Sequence, residues 1–178
     1  SGQEELTFHL MSVRTHADLT VFRADMENGV NGWTEENAVG PVATPWLLGT
    51  NAWRTPSNSW RYAAAGANDH YLVSPAVTMP STAVTVWVAW RGVLTNNSSQ
   101  FGIAYRRVGQ PWVFTNNYSV GPRTNNTWGW KTLSVPTNLS GQNVQFGLNA
   151  GAFIPAGSFD KTNRKPATQV IGSMKVTF

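Results

Sequence analysis

Alternation of apolar and polar residues constrains this chain more than any other feature. Val84, Val86, Val88 and Trp90 hold one parity of a run whose other parity is Thr85, Trp87, Ala89 and Arg91. Only an extended strand sends successive side chains to opposite faces, so this run is a strand with one fully apolar face. Phe101, Ile103 and Tyr105 alternate in the same way with Gly102, Ala104 and Arg106. Further strands are predicted at Leu133 and Val135, at Val144, Phe146 and Leu148, and at Ile171, Met174 and Val176. Another begins at Leu19 and Val21 and runs to the turn signal Asn28-Gly29. Turn-forming segments separate them, among them Thr95 to Ser99, Gly109-Gln110-Pro111, Gly121-Pro122 and Leu139 to Gln142. No stretch of ten residues carries a helical spacing, and no internal repeat is visible. The pattern predicts an all-β chain, a two-sheet antiparallel β-sandwich or a barrel.

Composition agrees. Charged residues are 12% of the 178, about half the usual share. The polar surface is built instead from 16 Asn and 19 Thr, with 16 Gly and 10 Pro, a composition of strands and turns rather than of helix bundles. There is no cysteine, which excludes a disulfide framework, thiolate zinc sites and a cysteine nucleophile. A net charge of +4, scattered along the chain, is no nucleic-acid footprint. The densest basic group, Lys161, Arg164 and Lys165, lies in a Pro-containing segment and reads as a solvated loop, with a phosphate-binding patch as the alternative. No apolar run approaches the ~20 residues of a membrane-spanning helix. Ser1 to Glu5 are acidic where a secretory leader is basic, and the start without Met suits a mature or excised piece. Residues 1–17 contain a candidate strand, Leu6 to Val13, read either as the first strand of the domain or as a link from a preceding one; residues 18–178 read as one domain.

Several segments, taken in order, fit one known pattern. Phe22 to Glu27 followed by Gly32-Trp33-Thr34, then Trp60-Arg61-Tyr62, come first. Asn68-Asp69-His70-Tyr71-Leu72-Val73-Ser74-Pro75 follows, and later come Trp130 to Leu133, Asn138-Leu139-Ser140-Gly141 and Val144-Gln145-Phe146. In order and spacing, over roughly residues 20–178, these resemble the MAM-like, cleaved-adhesin, choice-of-anchor and immune-inhibitor-A-type accessory domains of secreted proteins. The resemblance implies a two-sheet antiparallel jelly roll, secreted or at the cell surface. It also implies a non-catalytic module for adhesion, glycan binding or packing beside an enzyme.

In such domains acids of a final "Ile-Asp-Asp-Ile" strand help to hold calcium. Here that stretch reads Val170-Ile171-Gly172-Ser173-Met174-Lys175, with no acid. Glu27 and Asp69 match the family's other acidic positions. Two acids fall short of the 6–8 oxygens calcium takes, and Lys175 opposes it, so any site is expected to be weak. No cofactor is otherwise implied.

Catalytic motifs are missing from the chain. Asp69-His70 is the sole adjacent acid–imidazole pair, and Ser74, before Pro75 in a predicted strand, is poorly placed as a nucleophile. Asp25 with Glu27, and Glu35-Glu36 in a polar loop, supply paired carboxylates for glycosidase chemistry, and solvation or strand-end roles account for them. The most suggestive excess is nine Trp. Parity places Trp90 in the core and Trp87, with Arg91, on the opposite face. Trp128 and Trp130 oppose the parity of Leu133 and Val135. Trp46, Trp53 and Trp60 fall in a Pro- and Asn-rich stretch, Gly40 to Asn68, expected to form loops, with Arg54 and Arg61 beside them. The candidate ligand-binding residues are therefore Trp87, Arg91, Trp128 and Trp130, with Trp53 and Trp60 as an alternative rim. The expected partner is an extracellular glycan or protein. A structural domain packed on a neighbouring secreted enzyme, and a phage or virion surface domain, are the rival readings.

Overall fold

The computed structural model describes residues 6–15, 20–24, 32–39, 46–49, 59–64, 69–94, 99–114, 119–120, 123–152 and 170–174. They form thirteen strands: β1 (Leu6–Thr15), β2 (Thr20–Ala24), β3 (Thr34–Val39), β4 (Trp46–Gly49), β5 (Ser59–Ala64), β6 (Asp69–Val73) and β7 (Val77–Thr78), then β8 (Val84–Leu94), β9 (Ser99–Arg107), β10 (Ser119–Val120), β11 (Arg123–Val135), β12 (Asn143–Ala152) and β13 (Val170–Met174). One 3-10 turn, Thr137–Leu139, is the only helical element among the described residues. Every pairing is antiparallel. The first sheet runs β11-β8-β13-β5-β1-β2, with β4 on β5 and a further β1–β8 pairing; the second runs β10-β9-β12-β6-β3, with β7 on β12.

The alternation read from the sequence is what joins the sheets. Val84, Val86, Val88 and Trp90 of β8 are buried, as are their neighbours Met11 and Val13 of β1 and Leu133 and Val135 of β11. From the second sheet Leu72, Phe101, Ile103, Val144, Phe146 and Leu148 face the same cluster. The Trp90 and Phe101 rings meet between the sheets at 5.6 Å. Each large apolar side chain removed from water contributes about 1.5–3 kcal/mol, so this shared layer is the principal stabilising term.

The Gly40–Asn68 stretch departs from expectation. It is not all loop: β4 and β5 lie inside it, and Trp46 and Trp60 are buried core residues on them. Pro and Asn concentrate in the parts of that stretch flanking the strands, and they masked two short apolar runs that the first sheet completes.

Three of the family-like segments, those at Gly32-Trp33, Ser74-Pro75 and Asn138 to Gly141, lie at junctions between strands, while those at Trp60, Trp130 and Val144 lie inside strands. Gly32 has φ +76°, a left-handed conformation that favours glycine, and a Cβ there would lie 3.4 Å from the Pro75 ring. Trp33 beside it is buried in the core. Ser74 stands where the β6–β12 ladder would end at Pro75. Its backbone N–H donates to the Phe146 carbonyl at 2.8 Å, and its hydroxyl accepts the Phe146 N–H at 2.9 Å while donating to the Pro75 carbonyl at 2.8 Å. The Asn138-Leu139-Ser140-Gly141 segment is the 3-10 turn and its exit. Leu139 plugs the core, and the Gly141 N–H, at φ +73°, donates to the Met79 carbonyl at 2.8 Å.

Ser74→Ala should therefore leave the buried Phe146 N–H without its hydroxyl acceptor and destabilise the chain by about 1–3 kcal/mol. A urea midpoint unchanged from the parent would show that the hydroxyl is dispensable.

Candidate functional site

Polar parity of β8 and β11 forms the outer face of the first sheet. Trp87 is 38% exposed and Trp130 40% exposed. Trp130 stands opposite Ala89 and Thr132 opposite Trp87, so the two indoles are diagonal neighbours on adjacent strands. Their centroids are 6.1 Å apart with planes at 87°, the edge of one ring against the other. Ala89 is buried and small, which leaves room for the Trp130 ring. Half-buried Arg91 follows Trp87 on the same parity, about 13 Å further along the strand. Thr132 and Ser134 are exposed and Thr85 half-buried on this same parity. A corner of two aromatic faces rimmed by hydroxyls can stack a ring and hydrogen-bond its substituents.

The outer face of the second sheet is built differently. After β9 the chain turns at Gly109, φ +78°, with the Gln110 N–H donating to the Arg107 carbonyl, and folds back so that Tyr105 and Val113 exchange backbone hydrogen bonds of 3.2 and 2.8 Å. Trp112 is thereby laid on the sheet. Its ring stacks on Tyr71 at 4.7 Å and 5°, and the Arg106 guanidinium lies 4.1 Å above its centroid. Glu36 closes the set: one carboxylate oxygen accepts the indole N–H at 3.0 Å and the other pairs with Arg106 at 2.7 Å. Arg106 Nε also donates to Gln145 at 3.1 Å. Gly147 lies beneath, where a Cβ would come within 2.7 Å of Trp112 and 2.8 Å of Tyr71. No bond-forming group here is exposed and unspent; the cluster is a clamp. It was not legible in the sequence, since Glu36, Arg106 and Trp112 share no local spacing. A Trp directly after Pro111 in a turn is the one hint of it.

Between the sheets sits a third polar group. Tyr62 packs against Trp46 at 5.0 Å and against His70 at 5.9 Å. Glu35, on the edge strand β3, accepts the backbone N–H of Trp46 on β4 and so ties the margins of the two sheets. Partial burial raises the Glu35 carboxyl against the pull of that N–H. Burial, with Glu35 adding to it, raises the Tyr62 hydroxyl. His70 is fully buried and neither ring nitrogen has a partner among the described residues, so desolvation lowers its pKa to about 4.

The sequence-derived candidates are divided by this geometry. Trp87 and Trp130, read as members of two separate pairs, come together in one corner, with Arg91 down the strand. Trp60 is no rim residue: it is buried on β5, where it faces the core. Trp128 lies in the register shift of β11 between Asn125 and Gly129, where strict alternation is interrupted, and its side chain is outside the described residues. Trp53 and Glu27 lie outside the described residues, as does the side chain of Asp69, whose backbone is the first residue of β6. Among the described residues no three metal-ligating side chains gather. Glu35 and Glu36 are not a solvated loop pair but consecutive residues of β3, engaged with Trp46 and with Arg106. Opposite strand faces cannot present two carboxylates across one cleft. Ser74 is buried with its hydroxyl committed to the ladder, and His70 is interior, which leaves no nucleophile–base pair between them.

No family model and no curated protein matches the chain. Among solved structures it matches the K1 cleaved adhesin domain of Lys-gingipain from Porphyromonas gingivalis W83. The match covers 82% of this chain and 99% of that one, at 14% identity and a TM-score of 0.34. That domain is of a type the sequence segments resemble; so loose a superposition assigns no function, which must come from the residues themselves.

The interior group has a consequence for stability. The folded pKa of His70, about 4, lies below its unfolded value of 6.5, so the unfolded chain binds more protons between those values. The His70 contribution is complete above pH 6.5 and is lost as pH falls towards 4, on the order of 2–3 kcal/mol. Relative to His70→Phe, the parent should lose that much stability between pH 7 and 4 in denaturant titrations. Parallel pH profiles for the two proteins would show that His70 titrates normally in the folded state.

Proposed function

We propose that this chain is a jelly-roll binding module of an extracellular protein, and that it takes a carbohydrate in the Trp87–Trp130 corner. The observation that carries the reading is that corner itself: two large indoles exposed side by side on one sheet face, with the hydroxyl side chains Thr132 and Ser134 on the same strand face as Trp130. The inner layer already employs Trp33, Trp46, Trp60 and Trp90, so the fold had room for its aromatics inside. Exposed paired tryptophans suit the apolar face of a pyranose, while Thr132 and Ser134 supply hydroxyl donors and acceptors around it. The perpendicular planes favour one sugar seated in an angle over a flat polysaccharide surface, which asks for coplanar rings. The extracellular setting and the jelly-roll connectivity rest on the resemblance of the ordered segments, and the two antiparallel sheets about one shared core suit a sandwich of that kind.

A glycan array identifies the sugar, and alanine variants then test the site. Trp87→Ala and Trp130→Ala should each weaken binding by about 1–3 kcal/mol with little change in melting temperature. Trp60→Ala, by contrast, should cost about 3–5 kcal/mol of folding stability. Array binding that survives both outer-face variants would overturn the assignment, as would a chain that binds no glycan at all.

A further inference from the structure

A groove of about 420 Å³ opens where the turn after β9 faces the 3-10 turn before β12. It is within the range of small-ligand sites and is separate from the Trp87–Trp130 corner. Tyr105, Pro111 and Leu139 supply its apolar walls, and Arg107, Gln110 and Asn138 its polar ones. Both sides are held in place before any ligand arrives. On one side the Tyr105–Val113 bridge and the clamped Trp112 set the returning chain. On the other, backbone bonds of Leu139, Gly141 and Gln142 fix the short turn.

The three polar side chains are unspent. Arg106 gives its charge to Glu36, but its neighbour Arg107 makes no ion pair or side-chain hydrogen bond among the described residues, nor do Gln110 and Asn138. Arg107 shares its parity with Tyr105, away from the Arg106 clamp, and is exposed at the groove. One guanidinium presents a planar fork of donors matched to one carboxylate, and two primary amides can both donate to and accept from hydroxyls. Tyr105 and Pro111 add surfaces for an apolar ring face. We propose that this groove is a second binding site, for a single carboxylate-bearing sugar of the uronate class.

The test is a calorimetric titration of the intact chain with sodium glucuronate, with glucose and acetate as controls and backbone-amide NMR shifts as the positional readout. Saturable glucuronate binding is expected, with shifts concentrated in residues 105–113 and 137–141. Glucose and acetate should each bind more weakly by roughly tenfold or more, since each lacks one half of the recognised chemistry. Arg107→Gln should reduce glucuronate affinity by a similar factor, and Asn138→Ala by a smaller one, with melting temperatures held because both residues are exposed. The Trp87→Ala, Trp130→Ala double variant should bind glucuronate as the parent does, so either site can fail without the other. Absence of saturable binding, acetate binding as well as glucuronate, or an unaltered affinity in Arg107→Gln would each overturn the assignment.

Discussion

Strand β8 is the member on which the rest of the structure depends. Its inward row of three valines and Trp90 forms the middle of the shared core, and its backbone pairs with β11, β1 and β13. Because side chains alternate, the register that buries Val84, Val86 and Val88 also sends Trp87 outward. Core packing and the candidate binding corner are thus set by one constraint. A slip of one residue would bury Trp87 and Arg91 and expose the valines, a loss of several large burial terms at once.

The second sheet solves a different problem. Its outer face carries Tyr71, Val73 and Ala104, which would otherwise lie open to water. The chain covers them with its own returning segment, and Trp112 is the cover. The Glu36 carboxylate holds both the indole N–H and the Arg106 guanidinium, and charge-assisted bonds of this kind are stronger than neutral ones. Gly147 is needed beneath the ring because no Cβ would fit. This clamp also fixes one wall of the groove at Arg107, so a stabilising device and a candidate site share the same turn.

Much of this was legible in the residue pattern, and what was not has a physical cause. Alternation identified β8, β9 and β12 because their inner faces are apolar over three or more successive positions. It separated Trp90 from Trp87 for the same reason. It failed at Trp60, where a short strand is flanked by Pro- and Asn-rich residues and burial comes from neighbours distant in the chain. It also placed Glu35 and Glu36 in a loop, since two adjacent acids carry no periodicity; they are in a strand because β6 offers β3 its free edge. The register shift in β11 is equally silent in sequence, being defined only against β8.

The sequence by itself determined the class of fold, the face to which residues of an uninterrupted strand such as β8 belong, and the turns at Gly109 and Gly141. These are local matters, decided by period two and by backbone conformations that side chains restrict. Tertiary structure alone decided which outward residues become neighbours. Trp87 and Trp130 are 43 residues apart and meet because β11 pairs with β8 in one register. Glu36, Arg106 and Trp112 meet because β3, β9 and the returning segment lie on one sheet. The groove at Arg107 exists because two turns from different parts of the chain face each other. Contacts of that kind depend on the pairing of strands, and local pattern does not encode which strands will pair.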